Sequence, residues 1–142
     1  MNHVIQRLHN IWQSYRSLPL WVQIWVGLIL VPVNALPFLF LPQDWAIWGS
    51  LAALFVVVTN VPIMWFEQGM SRLMSIPHLF AWIPLHIVLI LTLLSETALT
   101  PTAQAVIWLL LLVNSISLLF DLVDSWRWLN GERDVPRPTP TR

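Results

Sequence analysis

The chain contains no cysteine, no lysine and only four glycines among its 142 residues. Without cysteine there is no disulfide, no thiolate metal site and no thiol catalysis. No phosphate-binding Gly-rich loop occurs, nor a Gly-x-Ser-x-Gly elbow, nor a His-Glu-x-x-His pair. Nucleophilic catalysis therefore has no support in the sequence. Charge is scarce as well: charged residues make up 10% of the chain, where soluble domains carry about 25%. The cations do not cluster on a polar face, which argues against a nucleic-acid partner. Every cation is an arginine, and nothing in the sequence gives a physical reason for that.

Cations are also missing from particular places. Arg7 and Arg16 precede a first long apolar stretch, Arg72 lies between the second and third, and Arg127, Arg133, Arg137 and Arg142 follow the fourth. The connections around Asp44 and Glu96 carry none. Positive charge near span ends stays cytoplasmic, so the pattern predicts an all-α integral membrane four-helix bundle with both termini inside. The ten Trp residues, most of them near span ends, suit the headgroup region.

The predicted spans cover about 20–41, 45–66, 77–97 and 101–123, with the last helix continuing to about 130. At 1.5 Å per residue, about 20 residues cross a hydrocarbon core of ~30 Å, and each stretch meets that length. Pro32 and Pro37 predict a kink or break in the outer part of the first span, Pro62 in the second and Pro84 in the third. Ser17, Asp44 and Thr100 are the expected helix caps, the last followed by Pro101 at the first helical position. Gly131 is placed to end the last helix. A basic start and Val33-Asn34-Ala35 loosely resemble a cleaved leader, but the apolar run continues through Leu41, so cleavage is not expected.

Outside the 19–130 membrane domain lie two short segments. Residues 1–18 form an amphipathic helix: Val4, Leu8, Ile11, Trp12 and Tyr15 share one face, and Arg7, Asn10, Gln13, Ser14 and Arg16 the other. Such a helix lies in the interface plane. Residues 66–76 form a polar loop or a short interfacial helix. The tail over 131–142 is rich in Pro and Thr and is expected to be disordered and cytoplasmic.

Chemistry-bearing residues within the spans are few. Asn114, Ser117, Asp121 and Ser125 fall within an arc of roughly 80° on the fourth helix, with Asp124 beside it. An acid inside a membrane is costly and marks a candidate site, although Asp121 also suits an interfacial structural role, with Asp124 pairing Arg127. Asn34, Asn60 and His86 are the strongly polar residues of the other three spans. Asn34 and Asn60 each lie two residues from a proline, where an amide can satisfy a freed carbonyl or line a broken-helix ion site. Alternating span direction places Asn60, Asp121 and Asp124 towards the inside and Asn34 towards the outside. His86 and Asn114 share mid-depth and could hydrogen-bond each other. The result is a polar track from Asn114 and His86 to Asp121 and Asp124. His86 also suits a proton relay, but a satisfied histidine packed between helices is the favoured reading. A bis-His haem site lacks a second ligand, because His78 stands on the same helix, ~12 Å away by helical rise; no cofactor or metal is expected. Ala46, Gly49, Ser50 and Ala53 form a small-residue packing face.

Three functions follow from these residues. The favoured one is a membrane-embedded interaction, assembly or regulatory subunit whose partners are the lipid bilayer and either a second copy or another membrane protein. The alternative is an oligomeric proton- or cation-linked small transporter or channel using Asp121. A redox or other enzyme using His86, Asp121 and Asp124 is the least supported. The short loops and termini suit a bacterial cytoplasmic membrane.

Overall fold

The computed structural model describes residues 2–138. The part of the tail beyond Pro138, expected from the sequence to be disordered, lies outside the described residues. The fold is all-helical, with no strand among the described residues. Helix α1 (His3–Ser17) precedes α2 (Leu20–Phe40), α3 (Asp44–Glu67), α4 (Ser75–Leu94) and α5 (Pro101–Leu129). The last four are long and apolar enough to cross a membrane.

Helix ends follow local chemistry. Thr100 caps α5, its Oγ1 accepting the Ala103 N–H at 3.1 Å. Gly131, at φ 95°, occupies the left-handed conformation that stops that helix. Asp44 is not a cap: it is the first residue of α3, where a carboxylate still meets the positive end of the helix dipole, and Gln43 is the residue before it. Ser17 does not cap α2; its hydroxyl turns back to the Ser14 carbonyl as the last residue of α1. The third span lies earlier than residues 77–97. A 3₁₀ turn, Arg72–Met74, leads directly into α4, and Ser71 caps that turn by accepting the Leu73 N–H.

Along α2 the winding changes three times. An α turn gives way to a π-helical segment at Trp25–Leu30, then α at Val31–Ala35, then 3₁₀ at Leu36–Phe40. Prolines lack the N–H that regular winding needs, and Pro32 and Pro37 fall in the last two segments. Pro37 is buried against Gly49 of α3, where an added Cβ would stand 2.7 Å and 2.9 Å from the proline ring. Gly49, Ala46 and Ser50 are buried, with Ala53 half-buried, and the end of α2 packs against α3.

The core runs through α3, α4 and α5: Trp45, Ala46, Trp82, Leu85, Leu89, Ile107 and Leu110 are among its buried members. Large apolar residues such as Leu28, Val58, Leu91, Leu112 and Leu119 point outward. Helix α1 docks by its polar side. Arg7 donates to the Trp65 carbonyl at 2.9 Å, Asn10 to Gln68 Oε1 at 2.7 Å, and Ser14 Oγ accepts from Met70 N–H at 2.9 Å. Its apolar residues Val4, Leu8 and Trp12 remain exposed. The tail returns to this end: Val135 is half-buried beside Gly69, and Arg72 donates to the Glu132 carbonyl.

A Cβ at Gly49 meets a rigid ring rather than a flexible chain end. Gly49→Ala is expected to lower stability by about 1–3 kcal/mol through overpacking, despite the better helix propensity of alanine. A reduced melting temperature in detergent checks this.

Candidate functional site

The polar residues of the spans are joined helix to helix in separate groups. Nearest the α2 end, Asn34 and Asn114 exchange two hydrogen bonds. Asn34 Nδ2 donates to Asn114 Oδ1 at 2.8 Å, and Asn114 Nδ2 donates to Asn34 Oδ1 at 2.9 Å. Asn114 is 0% exposed. The second Asn34 amide hydrogen reaches the Leu30 carbonyl at 3.0 Å, in the turn where the π-helical segment ends. Two amides placed face to face satisfy both donors and both acceptors, which suits an interior without water.

The largest group joins α3, α4 and α5. Asp121 is 8% exposed. Its Oδ2 accepts from Ser117 Oγ at 2.9 Å, and its Oδ1 lies 3.0 Å from His78 Nδ1. If Asp121 is ionised it can only accept, in which case Nδ1 carries the hydrogen and Nε2 is free to accept. Asn60 Nδ2 approaches Nε2 at 3.0 Å and supplies the donor. The His78 ring stacks on Trp82, with centroids 5.8 Å apart and planes at 24°. Asn60 Oδ1 is buried without a partner. Towards the end where Arg72 lies, Ser75 and Ser125 hydroxyls meet at 2.8 Å. Beside them Arg72 pairs with Asp124 at 3.4 Å.

Two pairings inferred from the sequence are replaced. His86 does not bond Asn114, which is occupied by Asn34. Instead His86 Nδ1 donates to the Trp82 carbonyl at 2.7 Å, and Nε2 accepts from Ser115 Oγ at 2.9 Å. Asp124 does not pair with Arg127, whose partner is Glu132 at 2.7 Å. The polar track from Asn114 and His86 to Asp121 and Asp124 is divided accordingly: Asn114 belongs with Asn34, His86 with Ser115, Asp121 with His78, and Asp124 with Arg72. Asn60 and Asp121 do meet, with His78 between them. Sequence reasoning missed His78 as the connecting residue, having weighed it only as a haem ligand. Its position three residues into α4 puts it at the depth of Asp121, which the antiparallel course of two adjacent spans would have signalled.

Two open clefts lie apart from these groups. One of about 410 Å³, at the end of the bundle where α3 and α5 begin, is lined by Asp44, Thr92, Ser95, Thr97 and Thr100. The other, about 540 Å³, opens sideways between α3 and α4 and is lined by apolar residues including Trp48, Phe55, Phe80 and Pro84. Among the described residues, no three His, Asp or Glu side chains converge as metal ligands. No family model matches the chain, and no curated protein or solved structure matches it.

Removing one member of the Asn34–Asn114 couple leaves a buried amide short of partners, at a cost of about 1–3 kcal/mol. Asn34→Leu and Asn114→Leu should each destabilise by that amount. The double variant should be less destabilised than the sum, with a coupling of about 0.5–2 kcal/mol. Additive losses in a double-mutant unfolding cycle would show that the amides do not act together.

Proposed function

We propose that the chain is a small multi-pass membrane protein whose role is interaction: it docks, within the bilayer, on a second copy or another membrane protein. In this reading Pro32, Pro37, Pro62 and Pro84 kink the spans. Both termini face the cytoplasm, and α1 lies in the interface with Val4, Leu8 and Trp12 in lipid. The outward leucines, valines and phenylalanines meet acyl chains, as a lipid-facing surface requires.

One observation carries the interaction reading. Ser115 lies midway along α5 and is exposed, yet its hydroxyl donates to a half-buried His86. Hydrocarbon offers nothing to a hydroxyl oxygen or to an imidazole edge, and polar groups at this depth act as glue between helices. A partner helix laid along α4 and α5 at His86 and Ser115 would cover them. The alternative, a proton- or cation-linked transporter or channel in an oligomer, draws on Asn60, His78 and Asp121 instead. It predicts a flux through the assembled protein that Asp121→Asn removes.

The cysteine-free chain makes the test direct. Ser115→Cys in native membranes, treated with a short thiol-to-amine photo-cross-linker, should give a discrete adduct above the monomer. An adduct of twice the monomer mass identifies a second copy, and a different mass identifies another protein. Cross-linking no greater than that of Val58→Cys, on the outward surface of α3, would remove the interaction reading at this face. For the topology, Glu96→Cys should react with an impermeant maleimide on intact cells and Arg133→Cys only after permeabilisation. The reverse pattern would invert the assignment.

A further inference from the structure

We propose that His78, Asp121 and Asn60 form a binding site for one proton, set where α3, α4 and α5 meet. The site does not depend on whether the protein docks or conducts.

The argument begins with the unpartnered atom. With Nδ1–H directed to Asp121, His78 Nε2 accepts from Asn60 Nδ2, and Asn60 Oδ1 is left buried without a donor. An amide's nitrogen and oxygen are nearly the same size, and their assignment follows the hydrogen-bond network around them. Turned by half a rotation, Asn60 presents Oδ1 to the same ring nitrogen. That is the partner the ring needs once Nε2 carries a hydrogen. The ring is therefore hydrogen-bonded in both of its states with no movement of a helix, and the amide atom turned away from it, Oδ1 in one state and Nδ2 in the other, is the one left without a partner.

The proton balance is simple. A proton from water adds to the Nε2 lone pair. The Nδ1 hydrogen stays between the ring and Asp121 Oδ1, and the group passes from net charge −1 to zero. Whether that middle hydrogen rests on nitrogen or on oxygen does not change the count. An unpaired charge is costly in a low-dielectric interior, whereas a hydrogen-bonded neutral pair is tolerated. Other charges around the group are few and already engaged. In the 3₁₀ turn before α4, Arg72 is held by Asp124, and on α4 His86 lies two turns beyond His78, bound to Ser115. On α5, Asp124 is one turn from Asp121. Of α3's charged residues, Glu67 lies two turns beyond Asn60 and Asp44 at the opposite end. Helix α2 carries none.

A pair of hydroxyls lies towards the Arg72 end. Ser75 and Ser125 are each about one helical turn from His78 and Asp121, and their hydroxyls touch. Ser75 in turn donates to the Arg72 carbonyl at 2.6 Å. Beside them lies Asp124, half-exposed and paired with Arg72.

The test leaves the site intact. His3→Gln, His9→Gln and His86→Gln together leave His78 as the sole histidine, in the full chain in lipid nanodiscs. Nitrogen-15 NMR of the ring across pH 5–9 then reads both its tautomer and its proton count. The proposal expects a single neutral tautomer, protonated at Nδ1, to gain one proton at Nε2 as the pH is lowered. Asp121→Asn in that background should weaken proton binding at least tenfold, and Asn60→Asp should strengthen it by a similar factor. A ring that keeps one neutral form throughout would overturn the proposal, as would uptake unchanged by Asp121→Asn. If Asp121→Asn does not fold, Asn60→Asp decides the matter in the same way. Proton uptake without any flux in liposomes would sink the transporter alternative and leave the site standing.

Discussion

Water is excluded from the middle of an apolar bundle, so each polar side chain carried there must be satisfied by another side chain or by backbone. Spans of leucine and valine gain little from meeting one another in lipid, because acyl chains offer the same contacts. Close packing and a few polar contacts therefore decide which helices lie side by side and in what register. In this chain the contacts are Asn34 with Asn114, Asn60 and Asp121 through His78, and Ser75 with Ser125. Helix α5 contributes to every one of them, touching α2 and α4 directly and reaching α3 through His78 of α4. The Pro37–Gly49 contact adds a close approach between α2 and α3, which exchange no hydrogen bond among these groups.

How much of this was legible before the structure depended on range. Span length and hydropathy located four helices, because about 20 apolar residues have one economical conformation in lipid. The ends at Thr100 and Gly131 were readable because a hydroxyl cap and a left-handed glycine act within a few residues. The stripe of Asn114, Ser117, Asp121 and Ser125 on one face of α5 was readable from helical period alone, and all four are buried. Partner choice was not readable. Asn114 meets Asn34 rather than His86, and Asp124 meets Arg72 rather than Arg127, because such choices depend on the rotation and height of separate helices. Local sequence fixes neither. The π-helical segment in α2 had no sequence signal of its own beyond the two prolines that follow it.

Helix α1 shows how environment inverts a familiar pattern. In a water-soluble protein an amphipathic helix turns its apolar side to the core. Here Arg7, Asn10 and Ser14 face the bundle, and Val4, Leu8 and Trp12 face outward. The orientation is sensible if lipid lies outside, and the polar contacts at Trp65, Gln68 and Met70 then fix the helix to the bundle's end. Ser115 follows the same rule of polar satisfaction: it is exposed at mid-span, and its hydroxyl meets His86 of the neighbouring helix.

The central claim is that polar side chains pair between helices inside a single protomer. Solid-state NMR in lipid bilayers tests it without altering a residue, by through-space transfer between the side-chain amides of Asn34 and Asn114. The account predicts a cross-peak that persists when labelled protein is diluted into unlabelled copies. A cross-peak that disappears on dilution would place the pair between protomers, and its absence at full labelling would mean that the helices are held together in another way.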